Sequence, residues 1–236
     1  MPLVVQGMKT AITGSTAQTV GHGMAKLGQA PVVLDASQGE FDLIEVMEGR
    51  GALGMIHIGP DDAKAMHAYA DQCRDLGLEF SADSGELQGE EAVDFLTGAK
   101  FLVTSQDRYH LLQATTGLSD DEILERVRVR VTTLDQDGVE IAGHDMDRIR
   151  VPFARAREII DPAGAGDAFT AGLLAGLGWG MGLRRAAEIG SQLTALALET
   201  VGPQGYAVNP VEFVHRLEQS YGPATAAEAS AYLLPD

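Results

Sequence analysis

A run of small and acidic residues at 161–169, Asp-Pro-Ala-Gly-Ala-Gly-Asp-Ala-Phe, most constrains what this chain can fold into. The β-branched pair before it, Ile159-Ile160, predicts the end of a strand, and Pro162 and Gly164 then interrupt regular structure. From about Ala165 the apolar pattern predicts a helix. Its apolar positions are Phe169, Leu173, Leu174 and Leu177. The stretch therefore predicts a turn that leads into the amino terminus of a helix.

Such a turn has the chemistry of an anion site. The first turn of a helix carries four N–H groups without intrahelical acceptors and lies at the positive end of the helix dipole. Because Gly164, Ala165 and Gly166 are small, a phosphate can approach those groups closely. Asp167 would repel that phosphate, which makes sense if its carboxylate accepts a hydroxyl proton from a second, neutral reactant. The alternative is an ordinary helix start in which Asp is a favourable first-turn residue.

The whole stretch resembles the anion-hole and catalytic-base motif of the ribokinase (PfkB) family of sugar and nucleoside kinases, usually Asp-Thr-x-Gly-Ala-Gly-Asp. The resemblance extends more weakly over residues 14–222. The runs at 58–66 and 198–204 are similar to the bacterial adenosine-kinase-like branch. The resemblance implies ATP and Mg²⁺ as cofactors and a hydroxyl of a nucleoside or sugar as the acceptor.

The same resemblance assigns roles within the motif. Asp167 would be the catalytic base, and the amides of residues 164–166 would stabilise charge on the transferred phosphoryl group. Asp161 takes the place of the motif's leading acid and would contribute to cofactor binding. Pro162 stands where the family usually has threonine, which is a mild departure.

Strand and helix patterns alternate along the chain. Strands are predicted at 3–6, 31–36, 55–58, 79–83, 101–104, 127–131, 138–142 and 148–153. Residues 14–28 are predicted to be a loop that leads into a helix. Further helices are predicted at 60–76, 89–96, 119–126, 183–200 and 210–221, besides the one that begins at 165. This alternation predicts a mostly parallel sheet covered on both faces, a three-layer α/β/α sandwich like the fold that the resemblance implies. Valines and arginines alternate at 127–131, which predicts a half-exposed strand.

Domain organisation follows from the same pass along the chain. Residues 1–222 are predicted to form a single ribokinase-like domain, since the sequence shows neither a linker nor an internal repeat. Residues 223–236 are Ala-rich and are predicted to be a C-terminal tail or a short helix.

Composition limits the classes of partner. The formal net charge of −17 argues against nucleic acid and anionic membranes as partners. No stretch approaches about 18 uncharged apolar residues, so no membrane span is predicted. Cys73 is the only cysteine, which excludes an intrachain disulfide, and the amino terminus lacks a secretory pattern. A cytoplasmic protein is predicted, whose phosphate site depends on local amides and a metal ion.

The family's Asn-x-x-Glu motif, which helps to place Mg²⁺ near the phosphates, matches Ser105-Gln106-Asp107-Arg108 here. A serine replaces the amide and an arginine replaces the carboxylate. Mg²⁺ prefers oxygen ligands and arginine offers none, so the metal motif is degraded. Arg108 either contacts phosphate directly or is a solvated surface residue, and Asp107 is a candidate substitute anchor. The histidines lack metal-ligand spacing, so no residue is assigned to a metal.

Nucleotide contacts in the family usually lie in a Thr-x-Gly-x-x-Gly segment, which matches residues 133–138 here. Thr133 and Gly138 keep their places, whereas Asp135 replaces a glycine and would repel a phosphate. Gly138 can equally be an ordinary turn residue. Gly202 lies in a turn that either borders an adenine pocket or only ends a helix.

The substrate side is less well marked. The run from Gly14 to Thr19 matches the family's Gly-Gly…Asn loop, with Thr19 where the sugar-binding Asn lies, and the acidic strand before it is not recognisable. About eighteen residues separate Asp35 from the strand at Met55, which leaves little room for the family's lid over the sugar. A homo-oligomer is therefore predicted, because a lidless pocket needs something else to exclude water.

Three functions are compatible with these observations. The first is a working kinase with Asp167 as its base. The second is a kinase-derived protein that binds a nucleotide or other phosphorylated ligand for a regulatory or structural role, which the losses at Thr19, Ser105, Arg108 and Asp135 favour. The third is a phosphate-binding protein that uses the helix terminus alone.

Overall fold

The computed structural model describes residues 9–34 and 41–235, so the strand predicted at 3–6 lies outside it. Eight strands form one sheet: β1 (Lys9–Thr13), β2 (Val32–Leu34), β3 (Leu53–Ile58), β4 (Phe80–Ala82), β5 (Phe101–Ser105), β6 (Val129–Thr133), β7 (Val139–Gly143) and β8 (Met146–Val151). The helices are α1 (Ala17–Lys26), α2 (Leu43–Arg50), α3 (Ala63–Leu76), α4 (Gly89–Leu96), α5 (Gln106–Thr116), α6 (Asp120–Leu124), α7 (Ala165–Gly178), α8 (Leu183–Leu198), α9 (Pro210–Tyr221) and α10 (Pro223–Leu233).

The sheet is mostly parallel, as predicted. Its strand order is β2-β1-β3-β4-β5-β6-β7-β8. Strands β1 to β6 run parallel to one another, and the hairpin of β7 and β8 adds two strands at one edge, with β7 antiparallel to β6 and β8 antiparallel to β7. The carboxyl ends of β1 and β3–β6 therefore meet at one edge of the sheet, which is where ligands bind in such folds.

Helices cover both faces of this sheet. Apolar residues of α2–α6 pack in one cluster, and those of α1 and α7–α10 pack in another. Adjacent residues of β1 divide between the two, since Ala11 belongs to the first cluster and Ile12 to the second. The predicted three-layer α/β/α sandwich is confirmed.

Helix α7 is fixed by unusually close packing against α8. A methyl group placed on Gly172 of α7 would lie 2.6 Å from Cα of Gly190 in α8. A methyl group on Gly190 would lie 2.7 Å from the carbonyl oxygen of Phe169. Both distances are shorter than van der Waals contact allows, so the two backbones touch only because both positions are glycine. This contact holds the amino terminus of α7 at a fixed place on the sheet edge.

The segment predicted as a tail or short helix forms α10. The Thr225 hydroxyl donates to Glu188 of α8 at 2.7 Å, and the Tyr232 hydroxyl donates to the Trp179 carbonyl at 2.5 Å. Ala229 is fully buried among residues of α1 and α7–α9. Helix α10 therefore packs into the same layer as its predecessors.

The strand predicted to end at Ile159-Ile160 is wrong. Residues 152–162 form neither strand nor helix, and both isoleucine side chains are exposed. The Ile160 N–H donates instead to the Leu198 carbonyl at 2.8 Å, near the end of α8. Local β propensity is overridden here because the segment has no strand beside it with which to pair.

The predicted half-exposure of the strand at 127–131 is also wrong. Arg130 is only 3% exposed, although its neighbour Arg128 lies in solvent. The Arg130 guanidinium donates to Asp120 at 2.6 Å and to Glu140 at 2.5 Å, and it lies 4.1 Å from the ring centroid of Tyr109. Paired acids therefore allow an arginine to occupy a position that normally takes an apolar residue.

Helices α2 and α5 have no counterpart in the sequence prediction. Helix α2 occupies much of the interval in which a lid would lie, and all strands of the described residues belong to the single sheet. Across 9–34 and 41–235, none of the helices has the length and apolar character needed to cross a bilayer. The homo-oligomer stays a prediction, which light scattering on the purified protein would check.

Candidate active site

A cavity of about 250 Å³ opens at the carboxyl ends of the parallel strands. It lies between the loops that follow β1, β3, β4, β5 and β6 and the first turn of α7. Its lining residues are Thr16, Pro60, Asp83, Val103, Thr104, Ser105, Arg108, Thr133, Gly166, Asp167, Phe169 and Thr170. A larger groove of about 460 Å³ lies along edge strand β2. The lining given by the described residues includes none of the motif residues 161–169, so the smaller cavity is the candidate site.

Gly164 shapes the turn that begins α7. It is the N-cap residue with φ +78°, and a methyl group on it would lie 2.5 Å from Cβ of Pro203. Both the left-handed backbone and the close approach require glycine. The helix begins at Ala165, as predicted.

The free N–H groups of this turn differ slightly from the predicted set. The Ala165 N–H donates to the Pro162 carbonyl at 3.2 Å, so it is already engaged. Within the described part of the chain, the N–H groups of Gly164, Gly166 and Asp167 have no backbone acceptor. These three donors remain available to an anion at the helix terminus.

Asp161, predicted to bind cofactor, is occupied by the backbone. Its carboxylate accepts the Ala163 N–H and the Gly202 N–H, each at 2.9 Å. These two hydrogen bonds hold the pKa of Asp161 below its usual range. Asp161 thus ties the motif to the turn at Gly202, which explains why both residues lie beside the site without lining the cavity.

Asp167 is the reactive candidate in the cavity. Its side chain is largely withdrawn from water, and this burial raises its pKa to about 6, with a further upward effect from Asp83 and an opposing one from Arg108. Burial also raises the pKa of Tyr206 to about 12, and the negative charge of Asp167 adds to that shift. A carboxylate with a pKa near 6 is ionised at neutral pH and still basic enough to take up a proton.

Asp83 and Arg108 form an ion pair in the same cavity. Asp83 follows β4 and accepts the Gly85 N–H at 3.0 Å. Arg108 lies in the first turn of α5, where the Ser105 hydroxyl oxygen accepts its backbone N–H at 3.4 Å. One guanidinium nitrogen of Arg108 lies 3.2 Å from Oδ1 of Asp83. Burial raises the pKa of Asp83 despite this positive charge.

The loop after β1 reaches the cavity through a different residue from the one predicted. Gly14 has φ +106°, and a methyl group on it would lie 2.7 Å from the Gly59 backbone, so it allows the loops after β1 and β3 to touch. Thr16 lines the cavity, whereas Thr19 lies within α1 outside the lining. On this loop Thr16 is therefore the residue that brings a hydroxyl group to the cavity lining.

The predicted nucleotide segment is divided in the structure. Thr133, at the end of β6, lines the cavity. Asp135 is exposed with φ +47° and does not reach it. Gly138 is buried with φ +91°, and a methyl group there would lie 2.2 Å from the Val151 carbonyl oxygen. Glycine is thus required at 138 by the close approach of β8. Gly138 does not line the cavity, which agrees with the alternative that it is an ordinary turn residue.

The sequence of this chain is similar to those of known kinases. A sequence profile described as "pfkB family carbohydrate kinase" matches residues 60–209, more than half of the chain. The chain belongs to the PfkB family. A nucleoside kinase of Methanocaldococcus jannaschii is 25% identical over 170 residues, which cover 70% of this chain and 55% of that protein. The chain therefore spans about half the length of this relative.

Solved structures share the fold. The nucleoside kinase of Burkholderia thailandensis in complex with inosine has a TM-score of 0.75 at 22% identity, covering 88% of this chain and 86% of that one. The M. jannaschii nucleoside kinase, described as an archaeal ribokinase-family member, also has a TM-score of 0.75, at 19% identity and with 87% and 86% covered. Ribokinase of Cryptococcus neoformans in complex with ADP has a TM-score of 0.69 at 13% identity, with 87% and 99% covered.

A protein-held Mg²⁺ fits this PfkB site poorly. The Ser105 hydroxyl oxygen is used as a helix cap, and Arg108 has no oxygen to offer. Asp107, the suggested substitute, is exposed and lies outside the cavity lining. Residues 9–34 and 41–235 contain no group of three or more His, Cys, Asp or Glu side chains placed to hold a metal ion. Asp83 is already paired with Arg108, so these side chains form an ion pair and do not form a set of oxygen ligands for a metal ion.

Sequence reasoning missed Asp83 and Thr16 as lining residues of this PfkB site. Both follow the carboxyl end of a parallel strand, β4 and β1 respectively. The rule that ligands bind beyond such ends would have found them once the strands were placed. For Thr16 the difficulty was that β1 itself had no clear pattern in the sequence.

Proposed function

We propose that this protein is an ATP-dependent kinase that transfers the γ-phosphoryl group of ATP to a hydroxyl of a nucleoside. The observation that carries the proposal is the position of Asp167, which lines the cavity beside free N–H groups at the amino terminus of α7. A base next to an anion site is the minimum that phosphoryl transfer to a hydroxyl requires. Membership of the PfkB family supports the same chemistry.

In the proposed reaction Asp167 accepts the proton of the acceptor hydroxyl. The acceptor oxygen forms a bond to the γ-phosphorus while the bond from that phosphorus to the bridging oxygen breaks. ADP leaves with the electron pair of the broken bond. The N–H groups of Gly164 and Gly166 stabilise negative charge on the transferred oxygens. The proton on Asp167 returns to solvent after the product leaves.

A purine nucleoside is the proposed acceptor. The proteins that support it are the nucleoside kinase of M. jannaschii and that of B. thailandensis in complex with inosine. Thr16 and Thr133 offer hydroxyl groups at the cavity for contacts with a polar acceptor. ATP as the donor is supported by structures of relatives in complex with ADP.

Direct phosphoryl transfer tests the proposal. Purified protein with ATP and a panel of inosine, adenosine and ribose is expected to give a nucleoside monophosphate, identified by mass spectrometry, faster than ribose phosphate. Magnesium is supplied in the buffer because ATP in solution carries it. If the protein binds nucleotide but forms no phosphorylated product from any acceptor, the regulatory binder is the correct reading instead.

Gly166→Ala is expected to separate function from fold. A methyl group at Gly166 meets no atom within 4 Å, so the fold accepts it, and stability is expected to stay equal or rise by about 0.5–1 kcal/mol. The same methyl group would enter the cavity next to a free N–H group and displace the phosphoryl group. We expect kcat/KM to fall about 10- to 100-fold.

A matched control is Gly49→Ala in α2, where a methyl group also meets no atom within 4 Å. It should change stability similarly and leave kcat/KM unchanged. Equal activity of the two variants would show that the first turn of α7 does not contact the transferred group.

A further inference from the structure

Arg108 is the one positively charged side chain among the described residues that line the cavity. Its two terminal nitrogens lie 3.2 Å from Oδ1 of Asp83 and 3.7 Å from Oε1 of Glu86. The Arg108 side chain is 39% exposed, and that of Asp83 is 25% exposed. One terminal nitrogen is therefore anchored by Asp83, and the other has only a longer contact with Glu86, whose side chain is 85% exposed, so a phosphate oxygen can replace Glu86 there.

The same ion pair acts on the proposed base. Asp83, Arg108 and Asp167 line one cavity, and the negative charge of Asp83 and the positive charge of Arg108 shift the pKa of Asp167 in opposite directions. Burial raises the pKa of Tyr206, and the negative charge of Asp167 raises it further. A phosphoryl group that is close enough to react beside Asp167 would therefore lie beside Arg108 as well.

The charge balance explains why a cation is needed there. The chain carries a net charge of −17, and the cavity contains two carboxylates, those of Asp83 and Asp167. A triphosphate brought into this field would meet repulsion that the free N–H groups of α7 offset only in part. A planar guanidinium offers two parallel donors to phosphate oxygens and keeps its charge at all relevant pH values.

We propose that Arg108, oriented by Asp83, binds the phosphate oxygens of the donor in place of a metal ion anchored by the protein. The inference rests on the proposed function and deepens it. Asp83 holds the Arg108 guanidinium, and the Ser105 hydroxyl oxygen caps α5, so neither side chain is free to bind Mg²⁺. Donor binding by this protein is accordingly independent of a divalent cation.

Calorimetric binding of adenylyl imidodiphosphate tests the inference, since this ATP analogue keeps three phosphates and cannot transfer one. For the wild type, Kd is expected to change less than about threefold when Mg²⁺ is replaced by EDTA. Arg108→Gln is expected to raise Kd about 10- to 100-fold in both buffers, which is the loss of a charge-assisted hydrogen bond. Arg108→Lys, which keeps the charge without the planar donor pair, is expected to recover part of the affinity.

Arg128→Gln is the matched control, since Arg128 is exposed and precedes β6, at the opposite end of that strand from Thr133. Its Kd should equal that of the wild type, and thermal unfolding should show both glutamine variants folded. A Kd for Arg108→Gln within threefold of the control, or a wild-type Kd that rises more than thirtyfold in EDTA, would overturn the inference. If these results accompany normal phosphoryl transfer, the proposed function stands. If the wild type neither binds the analogue nor transfers phosphate, both fail.

Discussion

Asp167→Asn is expected to reduce kcat by about 10²- to 10⁴-fold, because the amide cannot accept the proton of the acceptor hydroxyl. The substitution keeps the size of the side chain and its place in the first turn of α7. Binding of nucleotide should persist, since removing a negative charge beside the phosphates does not weaken it. The measurement is steady-state transfer to inosine, with Asp147→Asn on the exposed face of β8 as a control for charge.

The pH dependence identifies the same group. Because the pKa of Asp167 is raised to about 6, the wild-type rate should increase as pH rises through about 6 and level off above it. The residual rate of Asp167→Asn should lack that step. Near-normal turnover in the variant, or a wild-type rate that is flat across this range, would exclude Asp167 as the base.

Stability should move in the opposite direction from activity. The native pKa of Asp167 lies above its ordinary value of 3.8, so the ionised carboxylate opposes folding at neutral pH. Removing the charge is expected to stabilise the variant by about 1 to 2 kcal/mol at pH 8, allowing for partial exposure to solvent. The gain should shrink as pH falls from about 6 towards 3.8 and vanish well below 3.8, where the carboxyl is protonated in both native and unfolded protein.

The motif at 161–169 could be read from the sequence because its chemistry is local. A turn of small residues, a helix start at Ala165 and an acid in the first turn depend on neighbours within a few positions. The parallel sheet was predictable for a similar reason, since alternating strands and helices leave few other arrangements. The residues across the cavity from the motif, such as Asp83, could not be predicted in this way.

Residues that depend on distant partners were misjudged or missed. Asp83 is a site residue only because β4 lies beside β5, which brings it to Arg108. Asp161 stays a predicted cofactor residue, but the sequence did not indicate that its two oxygens accept N–H groups, one of them at distant Gly202. Ile160 looked like a strand residue because its partner, the Leu198 carbonyl, lies far along the chain.

Arg130→Met is expected to lower the free energy of unfolding by about 3 to 5 kcal/mol, the usual cost of removing one partner from a buried ion pair. The Arg130 side chain is 3% exposed, and its removal leaves Glu140, which is 11% exposed, with only the exposed arginines of β8 as partners. It also removes the cation stacked on Tyr109. Urea unfolding followed by circular dichroism measures the change.

Arg148→Met is a stringent control because Arg148 binds the same two acids, Asp120 and Glu140, but its side chain is 54% exposed. Solvent screens such a pair, so the expected cost is about 1 kcal/mol or less. Equal costs for the two variants would show that burial of the charge is not what makes Arg130 important.

Two further measurements distinguish unpaired charge from lost packing at Arg130. Although burial raises it, the pKa of Asp120 is held below its usual range by the Tyr109 hydroxyl and by both arginines. The stability that the ionised Asp120 contributes is present above its ordinary pKa and is lost as pH falls through its lowered pKa. At low pH the free energies of unfolding of wild type and Arg130→Met should therefore differ less than they do at neutral pH.

Adding Glu140→Met to Arg130→Met should recover part of the lost stability, because it removes the carboxylate that was left buried without its partner. If the double variant is instead destabilised by the sum of the two single changes, Arg130 stabilises the protein through the packing of its side chain and not through its ion pair with Glu140.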